Sequence, residues 1–140
     1  MKDKFTYIDL GLPSGILWAT KNAEGYYTYN KAKEKFGELL PKPKAFQELW
    51  ENCQWLWDIK KKGMIVVGPN KNIIFLPAFG YRDYIYNNFI GVNIHGFYWL
   101  YSSNRQTNTY YYSHFYSSDV CLLDNSLRAG GFSVRLCKEQ

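Results

Sequence analysis

The stretch that decides the fold is YIDLGLPSGILWAT at residues 7–20, close to the start of the chain. Polar and apolar residues alternate over residues 5–10, which predicts a strand. Gly, Pro and Ser at residues 11–15 are typical of a turn, and a second apolar run follows at residues 16–20. We therefore expect two short strands joined by a tight turn.

Two helices are predicted after this opening. Apolar residues recur every three or four positions over residues 29–40, mostly opposite a lysine-rich face, and Pro41 ends the pattern. Pro43 suits the first turn of a second helix. The apolar stripe of that helix consists of Phe46, Leu49, Trp50 and Cys53.

The rest of the chain favours short strands. Apolar residues 64–67 and 73–76 flank Gly-Pro-Asn-Lys at 68–71, which predicts a hairpin. A loop rich in Tyr and Asn then runs up to Gly96. Further strands are predicted near residues 97–101, 110–115, 119–123 and 132–136. Early helices followed by late strands indicate an α+β fold, with the helices segregated from an antiparallel sheet.

Composition narrows the class of protein. The 140 residues, 46% of them hydrophobic, suit one domain over 1–140 with a substantial core. The net charge of +5 is spread along the chain, whereas nucleic-acid binders usually concentrate basic residues in a stripe, so no nucleic-acid partner is expected. No stretch approaches the roughly 18 apolar residues of a membrane span, so no membrane span is expected. No signal peptide is expected from the first residues of the sequence, and the compartment stays open between a bacterial cell surface, secretion and a phage particle.

Motifs that would indicate catalysis or metal binding are missing from the sequence. The three cysteines lie far apart, form no C-x-x-C pair and allow at most one disulfide. His95 and His114 are the only histidines, and no nucleophile elbow, P-loop, dinucleotide-binding or zinc-protease motif occurs. We therefore expect a protein that is not an enzyme and that has no catalytic residues, metal or cofactor.

Residues 100–118 have the composition of an antibody contact surface. Tyr, Ser, Asn and Thr make up 14 of these 19 residues, a mixture that gives large contact area and adaptable hydrogen bonds. An ordinary sheet-and-loop segment with one Tyr-rich face is the alternative interpretation. In a strand, alternation places Tyr110, Tyr112, His114 and Tyr116 on one side. The opposite side would carry Tyr111, Ser113 and Phe115, and Phe115 marks it as the core side.

Seven motifs carry a resemblance to a known family. In chain order they are residues 7–20, 52–57, 67–70, 74–78, 80–82, 96–99 and 131–135. Together they closely resemble the Fibrobacter succinogenes major paralogous domain, a branch of the C-type-lectin fold. The resemblance implies two helices, small antiparallel or mixed sheets and adjacent N- and C-terminal strands, with Tyr7–Asp9 beside residues 133–135.

The resemblance also bears on function. The calcium-dependent sugar-binding motifs of C-type lectins and the cysteine pair of formylglycine-generating enzymes are absent, so neither a metal nor a catalytic residue is carried over. A further relative of the fold is the variable protein of diversity-generating retroelements, whose C-terminal surface is rewritten by mutagenesis. This chain departs from the family pattern mainly in its last third, so the variable face is expected within residues 97–130.

We therefore expect a non-enzymatic ligand-binding protein with a hypervariable C-terminal surface. The alternative is a fixed bacterial adhesin or surface module of the same fold. The partner would be an unidentified protein or glycan, and an oligomer is compatible with the sequence. The expected ligand-binding residues are Leu100, Tyr101, Asn104, Gln106, Asn108, Tyr110, Tyr112, His114, Tyr116, Asp119, Leu122, Asp124, Asn125, Leu127 and Ala129.

Further expectations concern packing. Arg82 and Arg135 are expected to anchor loops through hydrogen bonds to backbone carbonyls. The residues expected in the core are Trp18, Trp50, Trp55, Trp57, Phe75 and Phe132.

Overall fold

The computed structural model describes residues 5–102, 110–117, 119–126 and 130–140, with side chains described outside 119–126. The helices are α1 (Tyr29–Phe36) and α2 (Pro43–Asn52), with a short 3-10 turn at Gly37–Leu39. The strands are β1 (Tyr7–Asp9), β2 (Leu17–Ala19), β3 (Ala23–Tyr27), β4 (Gln54–Asp58), β5 (Gly63–Val67), β6 (Ile73–Pro77), β7 (Tyr81–Asp83), β8 (Asn88–Ile90), β9 (His95–Trp99), β10 (Tyr110–Tyr116), β11 (Asp119–Ser126), β12 (Phe132–Val134) and β13 (Cys137–Lys138).

The described strands form four small sheets. The largest has the order β11-β10-β9-β12-β3, and the others are β1-β2-β13, β4-β5-β6 and the pair β7-β8. Every pairing is antiparallel except that of β12 with β9, which is parallel. The chain is thus an α+β protein with two helices and several small sheets, and the predicted hairpin at 64–67 and 73–76 is confirmed as β5 and β6.

The two ends of the described chain meet through β2. Trp18 pairs with Ile8 of β1 on one side and with Cys137 of β13 on the other. The prediction that Tyr7–Asp9 lies beside residues 133–135 is wrong, because β12 lies in the five-stranded sheet between β9 and β3. Strand β3, which the sequence analysis did not predict, occupies the position next to β12.

The helices largely follow their sequence signals. Thr28 caps α1, since its hydroxyl oxygen accepts from the Lys31 N–H at 3.3 Å. The helix ends four residues earlier than predicted, because Gly37 adopts a positive φ of 53° and a 3-10 turn follows. Helix α2 begins at Pro43 as predicted, and Lys42 precedes it without a side-chain capping bond.

Two cores lie on opposite faces of the five-stranded sheet. Consecutive residues of β9 show the division: Tyr98 packs into the first core, with Trp18 and Phe46, whereas Trp99 packs into the second, with Phe132. Successive side chains of a strand point to opposite faces. The central sheet is therefore a wall between two apolar layers.

The aromatic core predictions have mixed outcomes. Trp18 and Phe132 are buried as expected, while Trp55, Trp57 and Phe75 are only half-buried. The assignment of Trp50 to the core is wrong, because this side chain is 40% exposed, with its ring against the half-buried Trp55.

Arg135 donates to backbone carbonyls, as predicted, but these belong to strands β2 and β6 rather than to loops. Its Nη1 donates to the Ala19 carbonyl at 3.1 Å, its Nη2 to the Phe75 carbonyl and its Nε to Asn22 Oδ1 at 2.8 Å. Burial lowers the pKa of Arg135 to about 10, so the guanidinium remains charged at neutral pH.

Arg82 behaves differently from the prediction. Its side chain donates to the side-chain oxygen of Asn87 at 2.8 Å rather than to a backbone carbonyl. The anchoring runs through its backbone, which exchanges two hydrogen bonds with Gly131 at 2.8 and 2.9 Å. In the part of the chain that the structure describes, no helix is both long and apolar enough to span a membrane.

Candidate ligand-binding face

Strands β9 and β10 place a group of aromatic side chains on one surface, which we call the aromatic face. It consists of His95, Phe97, Tyr112, His114 and Tyr116, all half-buried. The antiparallel register sets His114 opposite Phe97 and Tyr116 opposite His95. Directly opposed residues of paired strands share a face and lie close together.

The predicted alternation along β10 is confirmed from Tyr112 to Tyr116. Ser113 and Phe115 are fully buried on the other side of the sheet, whereas Tyr112, His114 and Tyr116 are partly accessible. Tyr111 is half-buried and packs against the first core. The physical reason is the two-residue period of the strand acting on a sheet that has a core on each side.

Gly96 makes room on β9 for the Phe115 side chain of β10. A Cβ at this position would lie 2.2 Å from Cζ of Phe115, which is closer than real Cβ atoms approach. The absence of a side chain at Gly96 lets the outer end of the Phe115 ring approach β9 closely. His95 and Phe97, on either side of Gly96, then point to the aromatic face.

Phe97 is the centre of the aromatic face. Its ring stacks on His114 with centroids 4.5 Å apart, and it contacts Tyr112 at 5.9 Å. Behind it lie Tyr81 at 5.1 Å and Phe132 at 5.3 Å. Such pairs add about 0.5–1.5 kcal/mol each beyond area burial, so the face is a rigid surface.

The two histidines of the chain meet on this surface. His95 Nδ1 lies 2.9 Å from His114 Nε2, although the residues are 19 positions apart in sequence. The Tyr116 ring lies 5.4 Å from the His95 ring and 5.8 Å from the His114 ring. One imidazole must donate and the other accept for this bond to form.

The opposite end of β10 is tied to the second core. Tyr110 stacks on Tyr29 with centroids 4.4 Å apart, and Tyr112 contacts Phe132 at 4.9 Å. Trp99 lies beneath both tyrosines and donates its indole N–H to the Tyr27 carbonyl at 2.6 Å. Tyr110 and Tyr112 are therefore partly accessible to solvent and at the same time packed against the second core.

Thirteen of the fifteen predicted site residues divide into three groups. Those that the structure brings together on one surface are Tyr110, Tyr112, His114 and Tyr116. Asp119, Leu122, Asp124 and Asn125 lie on β11, beside β10, where side chains are not described. Five others lie outside the described residues: Asn104, Gln106, Asn108, Leu127 and Ala129.

Two predicted site residues precede that region. Leu100 contradicts the prediction, because it is fully buried in the first core and its N–H donates to the Tyr111 carbonyl at 3.0 Å. Tyr101 is half-buried beside the second core, and the Lys33 ammonium lies 5.5 Å from its ring centroid.

Three residues of this region were missed by sequence reasoning: Tyr81, His95 and Phe97. The signal that could have found His95 and Phe97 is the alternation in His-Gly-Phe-Tyr-Trp at 95–99. The predicted strand began near residue 97 and so left out His95. Tyr81 offers no comparable signal, because its place depends on the pairing of β7 with residue 131.

The chemistry of the aromatic face suits contact with a partner. Its rings offer flat apolar area, while two imidazoles and two phenol groups supply polar atoms at the edges. Among the described side chains, no three histidine, cysteine or carboxylate groups lie close enough to hold a metal ion.

Two thiols and two grooves lie elsewhere in the molecule. Cys53 and Cys137 are free thiols, and burial raises their pKa values to about 11 and about 12. A groove of about 640 Å³ runs along α2 past Glu48 and Cys137, and one of about 560 Å³ lies beside Arg135. At the first groove the Glu48 carboxylate already accepts two hydrogen bonds from Ser14. The Ser14 N–H donates at 2.9 Å and the Ser14 hydroxyl at 2.7 Å.

The chain matches no known protein-family model, no curated protein and no solved structure.

Proposed function

We propose that this protein binds a protein or glycan ligand through the aromatic face and catalyses no reaction. The observation that carries the proposal is the row of half-buried rings on β9 and β10, centred on Phe97 and His114. Tyr and other rigid aromatic residues give large contact area at small entropic cost. Phe97 and Tyr112 pack against the second core, which fixes these two rings before a ligand arrives and so reduces the cost of binding.

We propose further that the domain belongs to the C-type-lectin-like fold. The seven motifs support this assignment, as does the meeting of β1 and β13 on β2 within one sheet. The C-terminal surface would then belong to a variable protein of a diversity-generating retroelement. The alternation on β10 supports this, since every second side chain can change without entering the first core.

A fixed adhesin or surface module is the second candidate, and one observation favours it. Tyr110 and Tyr112 contact Tyr29, Trp99 and Phe132 of the second core. Rings that pack this closely restrict what can replace them. A surface that must keep these tyrosines suits one constant partner better than many changing ones.

Binding is tested by screening the protein against glycan and peptide arrays. Any hit is measured again with Tyr116→Ala and with Trp50→Ala, an exposed aromatic on α2 that serves as the matched control. We expect binding to fall by about tenfold or more for Tyr116→Ala and to persist for Trp50→Ala. A hit that tolerates Tyr116→Ala but loses Trp50→Ala would move the site to α2.

Sequencing the gene across its source population separates the two candidates. A diversified binder predicts substitutions at adenine positions of the codons for Tyr112, His114 and Tyr116, with Ser113 and Phe115 constant. An adhesin predicts that all five codons remain constant. Scattered variation that reaches Phe115 as often as Tyr116 would contradict both.

A further inference from the structure

The fold brings together two histidines that no sequence motif connects. His95 Nδ1 and His114 Nε2 lie 2.9 Å apart across the pairing of β9 with β10. Because the ring centroids are 5.0 Å apart, both nitrogens lie near the line that joins the two ring centres. Two nitrogens that face each other in this way can share a proton, or both can direct their lone pairs at one metal ion.

The two imidazole rings are held in place by their surroundings. The His114 ring lies at 10° to the Phe97 ring, with centroids 4.5 Å apart. His95 is backed by Gly91, where a Cβ would lie 3.0 Å from His95 Cδ2, and the His95 N–H donates to the Gly91 carbonyl at 2.8 Å. Both imidazoles are half-buried rather than enclosed. The pair is therefore a preorganised set of nitrogen donors that water and ions can reach.

The separation of the two nitrogens is close to the one that a metal ion needs. Zinc–imidazole bonds of about 2.0–2.1 Å in a tetrahedral site place two ligand nitrogens roughly 3.3 Å apart. A small rotation of either imidazole opens the observed 2.9 Å to that separation. The imidazole that donates in the hydrogen bond would then carry its proton on its other ring nitrogen. Both rings stay neutral in this exchange, and each offers one lone pair to the ion.

The neighbouring strand adds residue types that suit a cation. The backbone register sets Cys121 of β11 opposite His114, and Asp119 opposite Tyr116. Directly opposed residues of paired strands share a face of the sheet. Strands β9, β10 and β11 contain no lysine or arginine. A divalent cation therefore meets no fixed positive charge on these three strands, although the whole chain has a net charge of +5.

We propose that His95 and His114 together bind a divalent transition-metal ion of the zinc type. Imidazole nitrogen is a ligand that suits Zn²⁺, Cu²⁺ and Ni²⁺. Two histidines are fewer than the three or four protein ligands of most zinc sites, so a chelator such as EDTA should remove the ion. The coordination positions that the pair leaves are available to water or to oxygen atoms of a bound partner. The site lies on the aromatic face, but metal binding needs no partner and does not rest on the proposed function.

Zinc binding is tested by titrating ZnCl₂ into the untagged protein in a calorimeter. We expect the wild type to bind one ion per chain. The chain has only two histidines, so His95→Gln and His114→Gln each leave a single imidazole, and the loss of chelation should weaken binding by roughly a hundredfold or more. Cys53→Ser is the matched control and should bind like the wild type, because Cys53 is a free thiol that packs against the first core, on the other side of the sheet.

Nuclear magnetic resonance of the imidazole nitrogens tests the same site in the wild-type chain, so the answer does not depend on the variants folding. Zn²⁺ should move the resonances of His95 Nδ1 and His114 Nε2 together, with a common midpoint. The proposal is overturned by the absence of saturable binding at millimolar Zn²⁺, by full binding in either folded histidine variant, or by imidazole resonances that do not move. A loss of binding confined to Cys53→Ser would also overturn it. Repeating any array hit after EDTA treatment tests the proposed function without zinc, so the two proposals can fail separately.

Discussion

His95 Nδ1 and His114 Nε2 form a hydrogen bond of 2.9 Å between neighbouring strands, in the middle of the aromatic face. Both rings also take part in stacking, His114 with Phe97 at 4.5 Å and His95 with His114 at 5.0 Å. The bond fixes the orientation of both imidazoles at once. The contribution of the two histidines to stability should therefore be coupled.

A double-mutant cycle of His95→Ala and His114→Ala should show non-additive losses of unfolding free energy. The pair is part-buried, so we expect a coupling of about 0.5–1.5 kcal/mol from the shared hydrogen bond. Urea denaturation of the four proteins gives the value. Strict additivity would mean that the two rings contribute independently.

Trp18→Ala should cost far more stability than Trp50→Ala. Trp18 is fully buried and meets Phe46 edge-on at 5.6 Å, whereas Trp50 is 40% exposed. Truncating a buried Trp costs about 3–5 kcal/mol, and an exposed position costs much less. Thermal melts compare the two directly, and similar losses would contradict the placement of Trp50.

Tyr112→Ala should cost more stability than Tyr116→Ala, although both side chains lie on the same face of β10. Tyr112 contacts Trp99 and Phe132 of the second core, while the Tyr116 ring contacts the two histidines. We expect a loss of about 1–3 kcal/mol for Tyr112→Ala and below about 1 kcal/mol for Tyr116→Ala. Chemical denaturation measures both, and the reverse order would place Tyr116 in the core.

Arg135→Lys should destabilise the fold although it keeps the positive charge. A lysine ammonium cannot span the Ala19 and Phe75 carbonyls and Asn22 together, because the guanidinium reaches them as a planar fork. Carbonyls left without donors in a buried site cost about 1–3 kcal/mol. Thermal unfolding of Arg135→Lys and Lys138→Arg, an exposed control, checks this; equal melting temperatures would refute the anchoring role.

Stability should fall at alkaline pH through Cys137. Burial raises the pKa of this thiol from 9.0 to about 12 in the folded state. The unfolded chain therefore releases the proton first, so the contribution to stability is full below pH 9 and is lost as the pH rises towards 12. Melting temperatures between pH 8 and about 11 should decline less for Cys137→Ala than for the wild type, and parallel curves would contradict this prediction.

The sequence predicted elements that have strong local signals. The hairpin of β5 and β6, the start of α2 at Pro43 and the alternation around Phe115 all follow from short-range periodicity and turn chemistry. The failures are non-local. The burial of Leu100, the place of β3 beside β12 and the meeting of His95 with His114 depend on pairings between distant segments, which no local pattern specifies.

The exposure of Trp50 shows another limit. Its spacing from Phe46 and Leu49 fits a helical stripe, but Trp50 lies at the edge of that stripe, where its ring contacts Trp55 and stays 40% exposed.

The shared position of β2 between β1 and β13 has a mechanical consequence. Both outer strands are antiparallel to β2 and hence parallel to each other, with Tyr7 opposite Ala19 and Lys138 opposite Leu17. Tension applied at Thr6 and at Lys138 therefore acts along the strands in opposite directions. The load falls on all the rungs of this sheet at once, as in shear, instead of opening them one after another. A force applied through β1 and β13 therefore loads this sheet in shear, the direction in which paired strands resist separation most strongly.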